Sequence, residues 1–308
     1  MTPLTAGEIT GVWGTVLLPV DDRGDIAADR LGAQLDVLLA SGLSGLYAHG
    51  TAGEFHTLDE PGYDAVTALF AARCEAAGVA YQIGASHPAA PVMLGRIRRA
   101  AAFAPGAIQV ILPDWVPLND DEVVRFLAGA AETASGVPLV LYNPPHAKTP
   151  VPPRLLGRVA AAVPTLVGVK TGGGDEDWYA AMAREAPGLS VFVPGHELAT
   201  GLRLGAHGSY SNVAALSPRG AVAWYGLMAS DPALAADVQR RIGVFFGRHI
   251  APLKALGLSN PALDKFLAVV GDWADVGLTL RWPASSAPVG AVAPARADAH
   301  RLLPELFA

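Results

Sequence analysis

The sequence predicts an α/β protein, a (β/α)8 TIM barrel with a C-terminal helical extension. Apolar segments of strand length alternate with segments of helical period eight times up to about residue 228, and the connections between them are short. The first strand is not followed by a G-x-G-x-x-G loop, which argues against a doubly wound open sheet. We therefore predict a barrel over residues 1–228 and a helical extension with a tail over residues 229–308.

Each predicted strand is an apolar run bounded by turn residues, and the eight runs cover residues 11–20, 45–49, 79–85, 108–112, 139–142, 166–170, 190–193 and 209–213. The helical segments carry apolar side chains three and four positions apart. Between the strands they cover residues 26–41, 60–77, 92–103, 121–135, 153–162, 178–186 and 198–204. Beyond the last strand we predict helices at 218–228, 232–256 and 261–270, an irregular Pro- and Ala-rich tail at 282–296 and a last helix at 297–306.

The composition argues against several classes of protein. With 51% hydrophobic and 16% charged residues, the 308-residue chain can bury a large core and is not predicted to be disordered. No apolar run reaches the roughly 18 to 20 residues of a membrane span, and the N-terminus lacks a signal-peptide pattern, so we expect a cytoplasmic protein without a membrane partner. The net charge of −6 argues against nucleic acid as a partner. The single cysteine, Cys74, excludes an internal disulfide and a cysteine-cluster metal site.

One of only four lysines stands at the end of an apolar predicted strand. Residues 166–170, L-V-G-V-K, bring Lys170 to the C-terminal mouth of the barrel, where barrels carry their reacting groups. A buried ammonium is costly, so this lysine must either be paired or be kept neutral by desolvation. A neutral amine can attack a ketone and form a Schiff base, whereas a paired lysine would be structural. The strand alone leaves both interpretations open.

Polar side chains follow the other predicted strands and would surround Lys170 at the mouth. In strand order they are Thr15; His49, Thr51 and Glu54; Ser86 and His87; Asp114 and Trp115; Tyr142 and Asn143; Thr171; His196 and Glu197; and Ser209, Tyr210, Ser211 and Asn212. No pair of histidines stands with a carboxylate at metal-ligand spacing, so we expect neither a metal nor a nucleotide cofactor. A lysine, a phenol and a hydroxyl are the groups that Schiff-base chemistry needs, because the phenol and hydroxyl can move protons to and from the carbinolamine.

Three motifs occur in order on predicted strands 2, 5 and 6: Gly50-Thr51-Ala52-Gly53-Glu54, Tyr142-Asn143-Pro144-Pro145 and Gly168-Val169-Lys170. In these motifs the chain resembles the dihydrodipicolinate synthase and N-acetylneuraminate lyase family, and the resemblance extends over essentially the whole chain. The resemblance implies a metal-free class I mechanism on a small-molecule 2-oxo acid and an aldehyde. It also implies a homotetramer built as a dimer of dimers.

The resemblance further implies roles for individual residues. Lys170 would form an imine with the ketone of pyruvate or another 2-oxo acid, Tyr142 would relay the proton, and Thr51 would be its hydroxyl partner. The backbone N–H groups of Thr51 and Ala52, in the turn that Gly53 closes, would bind the carboxylate of the oxo acid. This agrees with the chemistry of the turn, because a turn of small residues exposes its amides to an anion.

Further candidates for substrate binding are Tyr210, Ser211, Lys148 and Trp115. Lys148 stands near the position where the synthases of the resembled family carry an arginine, and it would act as a point charge and not as a bidentate fork. Trp115 could stack on an aromatic aldehyde. Four histidines near the mouth could hydrogen-bond a polyhydroxylated substrate: His49, His87, His146 and His196. For Glu54 we expect a structural role in holding the turn together.

Three functions remain open at this point. The leading hypothesis is a class I lyase, aldolase or dehydratase, acting on a 2-oxo acid such as pyruvate or a 2-keto-3-deoxy sugar acid through a lysine Schiff base. One alternative is 4-hydroxy-tetrahydrodipicolinate synthase, which joins pyruvate to aspartate semialdehyde; the missing arginine argues against it. The other is a non-catalytic 2-oxo acid binder, against which the presence of both Lys170 and Tyr142 argues.

Overall fold

A computed structural model describes all residues, 1–308. Eight parallel strands close into a barrel in which each strand pairs with its neighbours in sequence and the first pairs with the eighth. They are β1 (Gly11–Thr15), β2 (Gly45–Ala48), β3 (Tyr81–Gly84), β4 (Ala107–Val110), β5 (Leu139–Tyr142), β6 (Leu166–Lys170), β7 (Ser190–Pro194) and β8 (Gly208–Tyr210). The predicted (β/α)8 TIM barrel is confirmed.

Thirteen α-helices surround and extend the barrel. Up to the end of the barrel they are α1 (Ala28–Leu39), α2 (Glu60–Ala77), α3 (Ala90–Ala101), α4 (Asp120–Thr133), α5 (Pro153–Ala162), α6 (Glu176–Glu185), α7 (Leu198–Leu204) and α8 (Asn212–Leu216). The later ones are α9 (Pro218–Ser230), α10 (Pro232–His249), α11 (Ala251–Ala255), α12 (Asn260–Gly271) and α13 (Val292–Leu302). None of these helices combines the length and the apolarity that a membrane crossing requires.

The core has two layers that follow from the barrel geometry. A cluster of 67 buried residues fills the space between the strands and the surrounding helices and continues into the C-terminal helices. A second cluster of 7 buried residues fills the barrel interior and includes Trp13, Tyr47, Phe192 and Tyr210. Inward side chains that alternate along each strand fill such a barrel, so its interior is packed and is not a pore. The reacting groups at the mouth of the barrel therefore lie next to the closely packed aromatic side chains of its interior.

Five predicted strands extend beyond the strands of the structure, and side-chain hydrogen bonds explain the difference at the first and the eighth. The prediction extended the first strand to residue 20, but β1 ends at Thr15. The reason is that the backbone of Leu17 bonds to the Gln34 side chain, which accepts from the Leu17 N–H at 2.8 Å and donates to the Leu17 C=O at 2.9 Å. The prediction extended the eighth strand to residue 213, but the Ser211 hydroxyl accepts a hydrogen bond from the Ala214 N–H and caps α8. Both corrections arise from side chains that compete for backbone groups.

The C-terminal extension differs from the prediction in two helices. The predicted helix 232–256 is divided into α10 and α11 at Ile250, shortly before Pro252, which lacks the N–H that a continuous helix needs. The last helix begins at Val292 and not at residue 297, because Pro294 falls in its first turn, where proline is tolerated. The predicted boundary between barrel and extension, at residues 228/229, lies inside α9. One hydrophobic core includes residues of the barrel and of the C-terminal helices, and the division into two domains stays a prediction.

Candidate active site

Lys170 lies at the end of β6, directly beside Tyr142 at the end of β5 in the parallel register. Paired residues in neighbouring parallel strands project to the same side of the sheet, so both side chains enter the mouth of the barrel. The Lys170 Nζ lies 4.2 Å from the ring centroid of Tyr142, 5.1 Å from that of Tyr210 and 5.4 Å from that of Tyr47. Three phenol rings therefore surround the amine.

The surroundings of Lys170 favour its neutral form. Burial lowers the pKa of the Lys170 amine from 10.5 to about 8, and the negative charge of Asp264 opposes this shift only in part. With a pKa near 8, about one amine in eleven is unprotonated at pH 7, against roughly one in three thousand for an ordinary lysine. Burial also raises the pKa of Tyr142, an effect that the neighbouring Thr51 side chain opposes. The site thus contains an amine that is neutral far more often than an ordinary lysine, next to a protonated phenol.

The turn after β2 presents unused backbone donors, among them the two that the family resemblance assigns to the substrate carboxylate. The Glu54 N–H donates to Thr51 C=O at 3.0 Å and the Phe55 N–H to Gly50 C=O at 3.4 Å, whereas the N–H groups of Thr51 and Ala52 donate to no protein group. Gly53 has to be glycine, since a Cβ at this position would lie 2.8 Å from the Val16 carbonyl oxygen. Free amides in a tight turn are a common binding site for an anion.

The turn is tied to the C-terminal extension by a buried ion pair. Glu54, with a left-handed φ of 51°, places its carboxylate 2.7 Å from the Nζ of Lys265 in α12, and the two side chains are 1% and 0% exposed. The Lys265 ammonium also donates to Thr279 C=O at 2.5 Å, and Glu54 accepts from the Arg281 N–H at 2.9 Å. These contacts agree with the structural role expected of Glu54.

These elements enclose a cavity of about 360 Å³ at the C-terminal mouth of the barrel. Of the residues assigned to catalysis or to binding of the oxo acid, six line it: Thr51, Ala52, Tyr142, Lys170, Tyr210 and Ser211. Of the histidines, His146 and His196 line it, whereas His49 is buried against Thr67 at 2.8 Å and burial lowers its pKa to about 3. Gly53 is part of the turn, packs against the Val16 carbonyl and does not line the cavity.

Lys148 and Trp115 lie outside this cavity. The indole is 84% exposed, and the Lys148 Nζ lies 5.0 Å from its ring centroid and donates to the Trp115 carbonyl at 3.3 Å. The two side chains thus contact each other on the loops after β4 and β5. A role for either in substrate binding stays a prediction.

The extension contributes residues that sequence reasoning did not assign to the site. Lys254, Asn260 and Asp264 all line the cavity. The only signal in the sequence was the N-P-A-L-D-K stretch, in which Asp264 precedes the buried Lys265. No three His, Cys, Asp or Glu side chains converge in the geometry of a metal site anywhere in the structure.

Comparison with known proteins agrees with this geometry. The model of the dihydrodipicolinate synthetase family matches residues 8–251. The 4-hydroxy-tetrahydrodipicolinate synthase of Chelativorans sp. (strain BNC1) is 29% identical over an alignment of 277 residues that covers 84% of this chain and 86% of the relative.

Two solved structures share the fold. The 4-hydroxy-tetrahydrodipicolinate synthase of Methylacidiphilum fumariolicum SolV superposes with a TM-score of 0.84 at 20% identity, covering 97% of each chain. The sialic acid aldolase of Ruminococcus gnavus superposes with a TM-score of 0.85 at 15% identity, covering 97% of this chain and 99% of the other. From the match of the family model across the barrel, we conclude that the chain belongs to the dihydrodipicolinate synthetase family of aldolase-type lyases.

Proposed function

We propose that this protein is a class I lyase that forms a Schiff base between Lys170 and a 2-oxo acid, such as pyruvate or a 2-keto-3-deoxy sugar acid. The observation that supports this most is the amine itself: it has a pKa near 8, lies among three phenol rings and lines the cavity at the barrel mouth. Enzymes activate a lysine nucleophile in this way, by desolvation in a largely apolar surrounding.

The neighbouring groups supply the rest of the reaction. The free N–H groups of Thr51 and Ala52 hold the carboxylate of the oxo acid, which brings its ketone carbon to the amine. The Lys170 nitrogen attacks that carbon, a proton passes to the former carbonyl oxygen, and the carbinolamine then loses water to give the imine. Tyr142, with Thr51 beside it, is the group that delivers and removes these protons.

The imine then serves as an electron sink for the bond to be broken. In the cleavage reaction the C4 hydroxyl loses its proton, the C3–C4 bond breaks with its electron pair left on C3 as an enamine, an aldehyde is released, and C3 then takes up a proton to restore the imine. In the dehydration reaction C3 loses a proton and C4 loses its hydroxyl group, which leave together as water and give an unsaturated product. Hydrolysis of the imine returns the amine of Lys170. Because no metal is needed at any step, we expect activity to persist in the presence of a chelator.

A second candidate is 4-hydroxy-tetrahydrodipicolinate synthase, the name that the relative from Chelativorans sp. carries. It would use the same Lys170 imine of pyruvate with aspartate semialdehyde. No arginine lines the cavity, and Lys148, which stands near the position of the synthases' arginine in the sequence, lies outside it. An assay with pyruvate and aspartate semialdehyde decides between the two enzymes.

The Schiff-base proposal is tested by trapping. The protein is incubated with pyruvate, reduced with borohydride, and analysed by intact mass and peptide mapping. We expect one adduct, on Lys170, which is lost in Lys170→Ala and retained in Lys254→Ala, a variant of the other lysine that lines the cavity. Absence of an adduct with pyruvate and with larger 2-oxo acids would refute the proposal and favour the non-catalytic binder.

We also propose, from the family resemblance, that the protein assembles as a homotetramer, a dimer of dimers, and works in the cytoplasm. A molecular mass near four times 31.7 kDa by light scattering would support the assembly, and a monomer mass would contradict it.

A further inference from the structure

The proposed mechanism gives no role to Asp264, the carboxylate that lines the cavity. Asp264 lines the cavity together with Lys170, yet its carboxylate accepts no hydrogen bond from the protein and forms no ion pair. A carboxylate in such a position is costly unless something in the cavity hydrogen-bonds to it. The residue one helical turn earlier, Asn260, lines the same cavity and adds an amide to this wall.

The direction of Asp264 is fixed by its neighbour in α12. Lys265 is fully buried and held by both Glu54 and the Thr279 carbonyl. Successive helical residues point about 100° apart, so anchoring Lys265 on the side of the turn sets the rotation of the helix. Asp264 is thereby held toward the cavity and cannot turn away to solvent by rotation of the helix.

The reacting end of the substrate is already served by other groups. In the proposed mechanism the amides of Thr51 and Ala52 bind the carboxylate, and Lys170 and Tyr142 act on the ketone. Asp264 and Asn260 belong to α12 in the C-terminal extension and line the same cavity. The charge of Asp264 acts on Lys170 and Tyr142, but its carboxylate hydrogen-bonds to neither of them. They are therefore available to the part of the substrate beyond C3.

We propose that Asp264 determines substrate specificity by hydrogen bonding a hydroxyl group on the carbon chain of the 2-oxo acid beyond C3. This inference rests on the proposed function, selects the 2-oxo acids with a hydroxylated tail among the substrates named there, and assigns their recognition to Asp264. A 2-oxo acid with an apolar tail would leave the Asp264 carboxyl group desolvated and without a hydrogen bond, so binding of such a substrate is disfavoured. A second carboxylate at this place would be repelled whenever Asp264 is ionised.

The electrostatic setting of Asp264 fits a hydroxyl ligand. Burial raises the pKa of this carboxyl to about 7, while the positive charge of Lys170 opposes the shift. Near neutral pH the group is thus present in both forms, and a hydroxyl can donate to the ionised form or accept from the protonated one. Lys254 also lines the cavity and could instead attract an anionic tail, so the test includes one.

The test measures binding where no imine can form. In a Lys170→Met background, calorimetry at pH 7 compares 2-keto-3-deoxygluconate with 2-oxohexanoate, which has the same chain length without hydroxyls, and with 2-oxoadipate, which has an anionic tail. With Asp264 present, we expect the hydroxylated ligand to bind at least about 10-fold more tightly than either of the others. In Asp264→Leu the preference over 2-oxohexanoate should fall to within about 2-fold, and in Asp264→Asn, which keeps hydrogen bonding, part of it should remain.

Three results would overturn the inference: no preference for the hydroxylated ligand with Asp264 present, an unchanged preference in Asp264→Leu, or tightest binding of 2-oxoadipate. Circular dichroism verifies that each variant is folded, and Asp264→Asn, of nearly equal volume, serves if the leucine variant is not. Failure of the proposed function is seen separately, as the absence of a borohydride-trapped adduct on Lys170 in the wild-type protein. The binding comparison does not depend on that adduct.

Discussion

Replacing Lys170 by methionine should abolish Schiff-base chemistry and at the same time stabilise the fold. The amine is held among the rings of Tyr142, Tyr210 and Tyr47, where its charged form is poorly solvated. Methionine has a similar length, carries no charge and packs well against aromatic rings. A residue kept for chemistry at a cost in stability is a common feature of active sites.

The size of the effect follows from the pKa of Lys170. The pKa falls from 10.5 to about 8, and at 1.36 kcal/mol for each pKa unit the buried ammonium costs about 3 kcal/mol. Below pH 8 the folded and unfolded chains both carry this proton, so the full cost is present. Between pH 8 and 10.5 only the unfolded chain binds it, so this contribution to stability improves as the pH rises. At pH 9.5 about 1 kcal/mol of the cost should remain.

The assay is urea unfolding followed by circular dichroism at pH 7 and pH 9.5. We expect Lys170→Met to be more stable than the wild type by up to about 3 kcal/mol at pH 7, and by clearly less at pH 9.5. Lys148→Met, at an exposed lysine, is the control and should change stability by less than about 0.5 kcal/mol at either pH. If Lys170→Met is no more stable than the wild type at pH 7, or if its gain does not depend on pH, the Lys170 amine is not desolvated in the folded protein.

Three further outcomes are expected. The rate of borohydride-dependent labelling of Lys170 by pyruvate should rise with pH and level off above a midpoint near 8; a rate still rising tenfold per pH unit at pH 9.5 would contradict the lowered pKa. Tyr142→Phe should slow this labelling roughly 10²- to 10⁴-fold with little change in the urea midpoint, and equal rates would remove Tyr142 from the proton relay. Glu54→Gln, which leaves the Lys265 ammonium buried without its carboxylate, should lower the free energy of unfolding by about 3 to 5 kcal/mol, and adding Lys265→Met should recover much of that loss; a neutral Glu54→Gln would disprove the importance of the ion pair.

The local pattern of the chain was sufficient for the barrel and for the reacting lysine. Apolar runs of strand length and helical segments of period 3.6 alternate clearly enough that all eight strands were located. The end of an apolar parallel strand also identifies where reacting groups meet, so Lys170 and Tyr142 could be expected to converge before the register of β5 and β6 was seen. The resemblance of the motifs added Thr51 and its turn.

Element ends were less predictable because single side chains decide them. Gln34 ends β1 by bonding the backbone of Leu17, and Ser211 begins α8 by capping it. Nothing in the hydrophobic period of residues 11–20 or 209–213 distinguishes these outcomes. The competing bonds form only when the partner is nearby in the folded chain.

Only the tertiary structure determines which residues of the C-terminal extension line the cavity. Asp264 follows Leu263 and precedes Lys265 in a helix remote in sequence from the barrel strands, and periodicity cannot tell which of the two charged residues faces the cavity. The ion pair of Lys265 with Glu54 sets that rotation. The lowered pKa of Lys170 likewise depends on rings and charges from several strands and from α12, because desolvation is a property of the assembled surroundings and not of the neighbouring residues in the chain.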